Sequence, residues 1–124
     1  MSNSNSLGHL MERNLLEVFG ERNPTLRKIA ISELYAEECT FFEADEKIVG
    51  RQALNMKVEQ ILQDAPGFAF HALEAAQVNH DHGRLKWQFG PPGSAPIVTG
   101  MDIAIFDQGR IHALYAFIDK TPSD

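Results

Sequence analysis

Residues 84–119 decide the fold, and they read RLKWQFGPPGSAPIVTGMDIAIFDQGRIHALYAFID. Three runs in this stretch are rich in β-branched and aromatic residues, and turn residues separate them at 90–93 and at 107–109. This pattern is typical of consecutive antiparallel strands. A lone carboxylate, Asp102, stands in the middle of the second run. Because a charge in a central strand is costly unless it is exposed, paired or beside a cavity, Asp102 is the first candidate for a functional residue.

Composition places the chain among ordinary globular domains. Its 124 residues are 44% hydrophobic and 23% charged, with a formal net charge of −6, which suits one folded domain. The negative charge and the scattered basic residues argue against a nucleic-acid partner. No apolar run reaches the ~18 residues of a membrane span, and the N-terminus has no signal-like core. With Cys39 as the single cysteine, no intrachain disulfide forms, and we expect a cytoplasmic protein.

Periodicity and turn residues predict the order α-α-β-β-α-β-β-β-β, an α+β arrangement. Helices are expected from Leu7 to Phe19, from Pro24 to about Ala36 with Asn23 as the cap, and over residues 51–63. Between the second and third helices lie strands at 39–43 and 48–49, and a bent strand at 68–78 precedes the opening stretch. Residues 1–6 are expected to form a disordered tail, and residues 7–124 a single domain.

The turn at residues 107–109 determines which side chains accompany Asp102. A three-residue loop with left-handed Gly109 is expected there, because Gln108 suits a two-residue turn poorly. This loop pairs Asp102 with Leu114, and it places His112 on the same face of the sheet. The opposite face is large and apolar. Since three helices cover only one face, we expect a homodimer through the outer sheet face.

Three segments carry a resemblance to a known family: ELYAEEC at residues 33–39, VGRQAL at 49–54 and DQGRI at 107–111. With the order of elements, they resemble the nuclear transport factor 2-like fold, in its SnoaL-like branch, over nearly the whole chain. The resemblance implies a cone-shaped, cystatin-like α+β barrel. Its three N-terminal-side helices pack on a curved, mainly antiparallel sheet and leave an apolar pocket.

The resemblance also implies what such a pocket does. Relatives use it for isomerisation, dehydration, ring-closing aldol chemistry and epoxide hydrolysis, and others only bind ligands or dimerise. The usual acid of the cyclases and of limonene epoxide hydrolase matches Ala116 here, and the further Arg and Asp of the hydrolase match Leu85 and its neighbours. Those two reactions are therefore not expected, and an acid in this pocket would have to be Asp102.

Asp102 and His112 are the predicted catalytic pair, with Asp102 as acid or base and His112 as its helper. The alternative is structural, with Asp102 held by backbone amides or a basic neighbour and His112 satisfied within the core. Aromatic and apolar side chains are expected to contact the substrate or simply to fill the core; they are Trp87, Tyr35, Phe42, Phe19, Leu114 and His71.

No cofactor and no metal are expected. His80, Asp81 and His82 resemble a metal-ligand triplet, but three adjacent loop residues without distant partners are more typical of a solvated hairpin. The sequence therefore favours a pocket for a hydrophobic or cyclic small molecule, in a cofactor-independent isomerase, dehydratase or cyclase. A non-catalytic ligand-binding or dimerisation module on the same fold is the alternative.

Overall fold

Three helices form one layer of the computed structural model, which describes residues 3–119. They are α1 (Asn3–Arg13), which continues as a π-helical segment (Asn14–Phe19), α2 (Pro24–Leu34) and α3 (Arg51–Gln63). Asn23 caps α2 by accepting hydrogen bonds from the backbone of Thr25 and Leu26, as helix N-caps do. The first helix starts before the predicted Leu7, and residues 1–2 of the predicted tail lie outside the described residues.

Seven strands form one mixed sheet in the order β2-β1-β7-β6-β5-β3, with β4 paired to β5. Their bounds are β1 Tyr35–Phe42, β2 Lys47–Val49, β3 Ala69–Ala72, β4 Gln77–Asn79, β5 His82–Gly90, β6 Val98–Asp107 and β7 Arg110–Ile118. β1 runs parallel to β7, and the other pairs are antiparallel. The predicted bent strand at 68–78 is thus two strands, β3 and β4, that share β5 as a partner.

The turn between β6 and β7 differs from the predicted loop. Asp107 pairs with Arg110, so the loop has two residues, Gln108 and Gly109, and their φ angles are 53° and 76°. Gln108 therefore adopts the left-handed conformation that the sequence argument gave only to glycine. The prediction of a three-residue loop was wrong.

A bulge follows this turn. Phe106 pairs with Ile111, but Ile105 pairs with Ala113, so His112 is an extra residue in β7. Turn and bulge together shift the register by two residues, and Asp102 pairs with Ala116 instead of Leu114. Because the shift is even, Leu114 stays on the predicted face. His112 lies in the bulge and is exposed, so its predicted place beside Asp102 was wrong.

The core lies between the helices and the inner face of the sheet. Met11, Leu34 and Leu114 are at most 1% exposed there. The fully buried Arg27 ties α2 to α3, because its guanidinium donates to the side chain of Asn55 and pairs with Glu59 at 3.0 Å. Buried charges need such partners. None of the helices within residues 3–119 is long and apolar enough to cross a membrane.

Candidate functional site

A cavity of about 200 Å³ lies between the π-helical segment, α3 and the inner face of the sheet. All its lining residues are apolar except Glu43 and Asp102. They are Leu15, Phe19, Phe41, Glu43, Ile61, Phe70, Trp87, Phe89, Val98, Asp102, Ala116 and Ile118. An apolar hollow with few polar groups is the usual form of a small-molecule site.

Asp102 reaches this cavity from the middle of β6 and is 5% exposed. Its Oδ1 accepts a hydrogen bond of 2.9 Å from Nε1 of Trp87. Burial raises the pKa of Asp102 to about 7, although the bond from Trp87 opposes this shift. Its other oxygen accepts no hydrogen bond from residues 3–119. With this pKa, both protonation states of the carboxyl group are populated at neutral pH.

Gly100 makes the bond between Trp87 and Asp102 possible. Trp87 pairs with Gly100 across β5 and β6, and its indole lies over the glycine. A Cβ atom at position 100 would stand 2.5 Å from Cζ2 of Trp87 and 2.7 Å from the carbonyl oxygen of Phe117. Phe70 packs against the indole at 5.4 Å in an edge-on arrangement, which fixes the ring further.

Two apolar side chains flank Asp102 on the neighbouring strands. It pairs with Leu85 of β5 on one side and with Ala116 of β7 on the other. Ala116 is the position where the resemblance places the usual acid, and directly paired residues have Cβ atoms roughly 5 Å apart. The carboxyl group of Asp102 therefore lies close to where an acid at position 116 would lie, but it comes from the adjacent strand.

Tyr35, predicted as a pocket wall, does not line the cavity but is fully buried. Its hydroxyl donates to Oδ1 of Asn14, the first residue of the π-helical segment. Burial, and after it the charge of Asp102, raises the pKa of Tyr35. Within residues 3–119, Nδ2 of the buried Asn14 has no hydrogen-bond partner. A polar pair in the core thus lies near Asp102, at the kind of helix irregularity that often accompanies functional sites.

The other predicted site residues divide between the cavity and its surroundings. Phe19 lines the cavity, as does Trp87. Leu114 is buried on the inner face without lining it. Phe42 stacks on Tyr115 with ring centres 4.4 Å apart, beside a depression next to the cavity. His71 is exposed, so its predicted inward orientation was wrong.

Strand alternation explains the orientation of His71. Its neighbour Phe70 is buried and lines the cavity. Successive side chains of a strand point to opposite faces, so His71 must face away from the cavity. Apolar and polar residues do not alternate regularly over residues 68–78. The sequence pattern therefore did not show which side chains of β3 point inward.

Glu43 is the polar cavity residue that the sequence analysis missed, together with apolar lining residues such as Phe41 and Phe70. Glu43 directly follows the last residue of β1. The alternation of β1 places position 43 on the face of Phe41, which also lines the cavity. The inward orientation of Glu43 could therefore have been predicted from the sequence, once Phe41 was known to point inward. The described residues contain no group of three His, Cys, Asp or Glu side chains suited to a metal.

Comparison with solved structures places the fold among known proteins. A candidate SnoaL-like isomerase from Agrobacterium tumefaciens is 19% identical, with a TM-score of 0.85 over 94% of this chain and 99% of that one. A candidate ketosteroid isomerase from Kribbella flavida gives 13% identity and a TM-score of 0.75 over 98% and 83% of the two chains.

A designed protein with a curved β-sheet matches too, at 14% identity and a TM-score of 0.74 over 99% of this chain and 90% of its own. No protein-family model and no curated protein sequence matches the chain. The chain therefore has the nuclear transport factor 2-like α+β fold. Because one fold can host many activities, its function has to be argued from the cavity.

Proposed function

We propose that the cavity binds a hydrophobic or cyclic small molecule and that Asp102 exchanges a proton with it. One observation carries this proposal: a carboxyl group with a pKa of about 7 lines an apolar cavity of about 200 Å³. At neutral pH both protonation states of Asp102 are populated, so the group can serve as base and as acid. Isomerisation, dehydration and cyclisation without a cofactor all need this proton transfer.

The proton would move at the oxygen of Asp102 that Trp87 does not engage. The ionised carboxylate removes a proton next to the ligand's carbonyl group, and the acid then formed returns it to a second carbon. Trp87 stabilises the ionised state through its indole N–H. Phe19 and Phe70 contribute apolar walls to the cavity beside this group. This scheme needs only Asp102 as the group that carries the proton.

A binding module without catalysis is the second candidate. The exposed position of His112 favours it, since Asp102 lacks the predicted helper. Trp87 would then serve only to orient a bound oxygen through Asp102. In both cases we place the protein in the cytoplasm, where its buried free thiol Cys39 suits a reducing environment.

Isomerisation of a small β,γ-unsaturated ring ketone separates the two candidates. If Asp102 transfers the proton, the wild-type protein converts this ketone to its conjugated isomer, and the rate changes with an apparent pKa near 7. Asp102→Asn should slow conversion roughly 100-fold or more, because an amide cannot carry the proton. The measurement is absorbance of the conjugated product over pH 4–9, beside binding of the saturated ketone by calorimetry.

Asp107→Asn is the matched control, since Asp107 lies on the exposed β6–β7 turn and should leave the rate unchanged. Binding without conversion would support the binding module. If no ring ketone binds the wild-type protein at millimolar concentration, the cavity is not a ligand site of this kind.

We further propose a homodimer through the outer face of the sheet. The helices cover only the inner face, whereas the outer face presents partly exposed Met101, Ile103 and Ile105. Phe117, paired with Met101, is 58% exposed. Apolar surface of this kind is a common feature of interfaces between identical subunits.

A further inference from the structure

Glu43 gives the cavity a second carboxylate. Asp102 lies in the middle of the sheet, and Glu43 lies at the other end of the cavity. It lines both the cavity and the adjoining depression of about 250 Å³, and the two hollows also share Ala116 and Ile118. The depression contains none of the deep aromatic residues of the cavity. Glu43 therefore stands where the cavity meets its surroundings, while Asp102 lies deeper.

The backbone holds Glu43 in this position. Its amide donates to the carbonyl oxygen of Glu46 at 2.9 Å, which closes the tight turn between β1 and β2. Its side chain is 27% exposed. The backbone bond fixes the main chain at Glu43, and the ion pair with Lys57 orients its half-buried carboxylate at the rim of the cavity.

Glu43 shares its counterion at the rim of the cavity with Glu46. Lys57 lies 3.1 Å from a carboxylate oxygen of Glu43 and 2.5 Å from one of Glu46. Its hydrogen bonds to Glu46 and then to Glu43 raise the pKa of Lys57, so the ammonium stays charged. One ammonium thus faces two carboxylates. Of the two carboxylate oxygens of Glu43, only Oε1 forms an ion pair among residues 3–119.

The size of the cavity limits what lies between the two carboxyl groups. An apolar protein cavity of about 150 Å³ holds one benzene molecule, and this one is about 200 Å³. A single ring with a short substituent fills it, and the substituent then points past Ala116 towards Glu43. Larger ring systems would have to extend into the depression.

We propose that Glu43 selects the ligand: a single-ring compound with an oxygen at its buried end for Asp102 and a hydrogen-bond donor, an amine or a hydroxyl, at its outer end for Glu43. This inference rests on the proposed function, because the ligand occupies the same cavity. Anionic ligands of the same shape would meet the carboxylate of Glu43 and should bind more weakly.

Three para-substituted phenols test the selection: tyramine, its uncharged analogue 4-propylphenol, and 3-(4-hydroxyphenyl)propanoate. Glu43→Gln should weaken tyramine binding about tenfold or more, because a charge-assisted hydrogen bond is lost. Binding of 4-propylphenol should stay within about twofold, since it makes no bond to Glu43. The anionic phenol should bind the variant more tightly than the wild-type protein. Calorimetric dissociation constants at low salt give these comparisons.

Glu46→Gln is the matched control, because Glu46 pairs with the same Lys57 but does not line the cavity. It should change tyramine binding far less than Glu43→Gln does. Lys57→Met should tighten tyramine binding by freeing Glu43, and this variant leaves both carboxylates in place. Equal losses in Glu43→Gln and Glu46→Gln, or no loss in either, would overturn the inference.

The two proposals fail in distinguishable ways. One outcome is that 4-propylphenol binds the wild-type protein and binds Asp102→Asn more weakly, while Glu43→Gln leaves the dissociation constant of tyramine unchanged. In that case only the role of Glu43 is overturned. If the ring ketone binds but none of the three phenols does, only the role of Glu43 is overturned. If neither the ketone nor the phenols bind, the proposed cavity function fails as well.

Discussion

The ionisation of Asp102 is governed by the few residues that surround it. Leu85 and Ala116 flank it on the neighbouring strands, and neither can solvate a charge. Trp87 supplies its one hydrogen bond from the described residues. A single neutral donor does not compensate for the loss of water around a carboxylate, so burial determines the direction of the pKa shift.

Because of Asp102, the native state should become less stable as the pH rises. Its folded-state pKa of about 7 lies above the ordinary value of 3.8, so the native state binds the proton more tightly than the unfolded state does. The free energy of unfolding therefore falls from pH 4 to pH 7 by on the order of a few kcal/mol from this group, and levels off above pH 7.

Asp102→Asn removes this contribution, so the variant should not lose stability in this way between pH 4 and pH 7. The free energy of unfolding of the variant minus that of the wild-type protein should therefore increase over this range. Urea denaturation at a series of pH values measures this difference, in which the other acidic groups cancel. Asp107→Asn provides the control, and it should run parallel to the wild-type curve. Parallel curves for Asp102→Asn itself would mean that Asp102 titrates normally.

At the scale of elements, the β6–β7 hairpin positions the site. Its two-residue turn shifts the predicted register by one residue, and the bulge at His112 shifts it by another. Either change alone would have moved Leu114 and Ala116 to the outer face, because side chains alternate. Together they preserve the inner face, and they expose only His112.

The turn itself predicts a stabilising substitution. Gln108 has a φ of 53°, a conformation that asparagine tolerates better, and Asn-Gly is the preferred pair for such a hairpin. Gln108→Asn should raise the free energy of unfolding by about 0.5–1 kcal/mol. Urea denaturation measures it, with Gln108→Ala as the control that should give no gain. A loss of stability in Gln108→Asn would contradict the turn geometry.

At the scale of the whole molecule, one sheet separates two different environments. The inner face and the helices enclose the cavity, while the outer face carries the stacked pair of Phe42 and Tyr115. Ile97 and Phe117 are more than half exposed. This asymmetry is the physical basis of the proposed homodimer.

Phe117→Lys should therefore shift the protein from dimer to monomer, because it places a charge in the proposed apolar interface. Sedimentation velocity at micromolar concentration measures the change. Met56→Lys is the matched control, since Met56 is 67% exposed on α3, away from the sheet. A wild-type protein that sediments as a monomer, or a dimer that Phe117→Lys leaves intact, would refute this interface.

Much of this architecture is encoded locally. The bounds of α3 were predicted correctly from periodicity and from the glycine and proline residues near its ends. The α+β class and the resemblance to the nuclear transport factor 2-like fold also followed from the sequence. Asp102 stood out as a carboxylate within an apolar strand, and its burial was expected.

The sequence by itself determined the α+β class, the order of the helices and most of the strands, and the face on which Asp102 lies, because periods of two and 3.6 residues are properties of adjacent positions. It did not separate β3 from β4 or show the π-helical segment. Only the tertiary structure decided the register, the exposure of His112, the bond from Trp87 and the place of Glu43 at the cavity. These depend on backbone angles at one turn and on packing between distant segments. No local pattern specifies such distances, so the hollow beside Asp102 exists only once the helices close over the sheet.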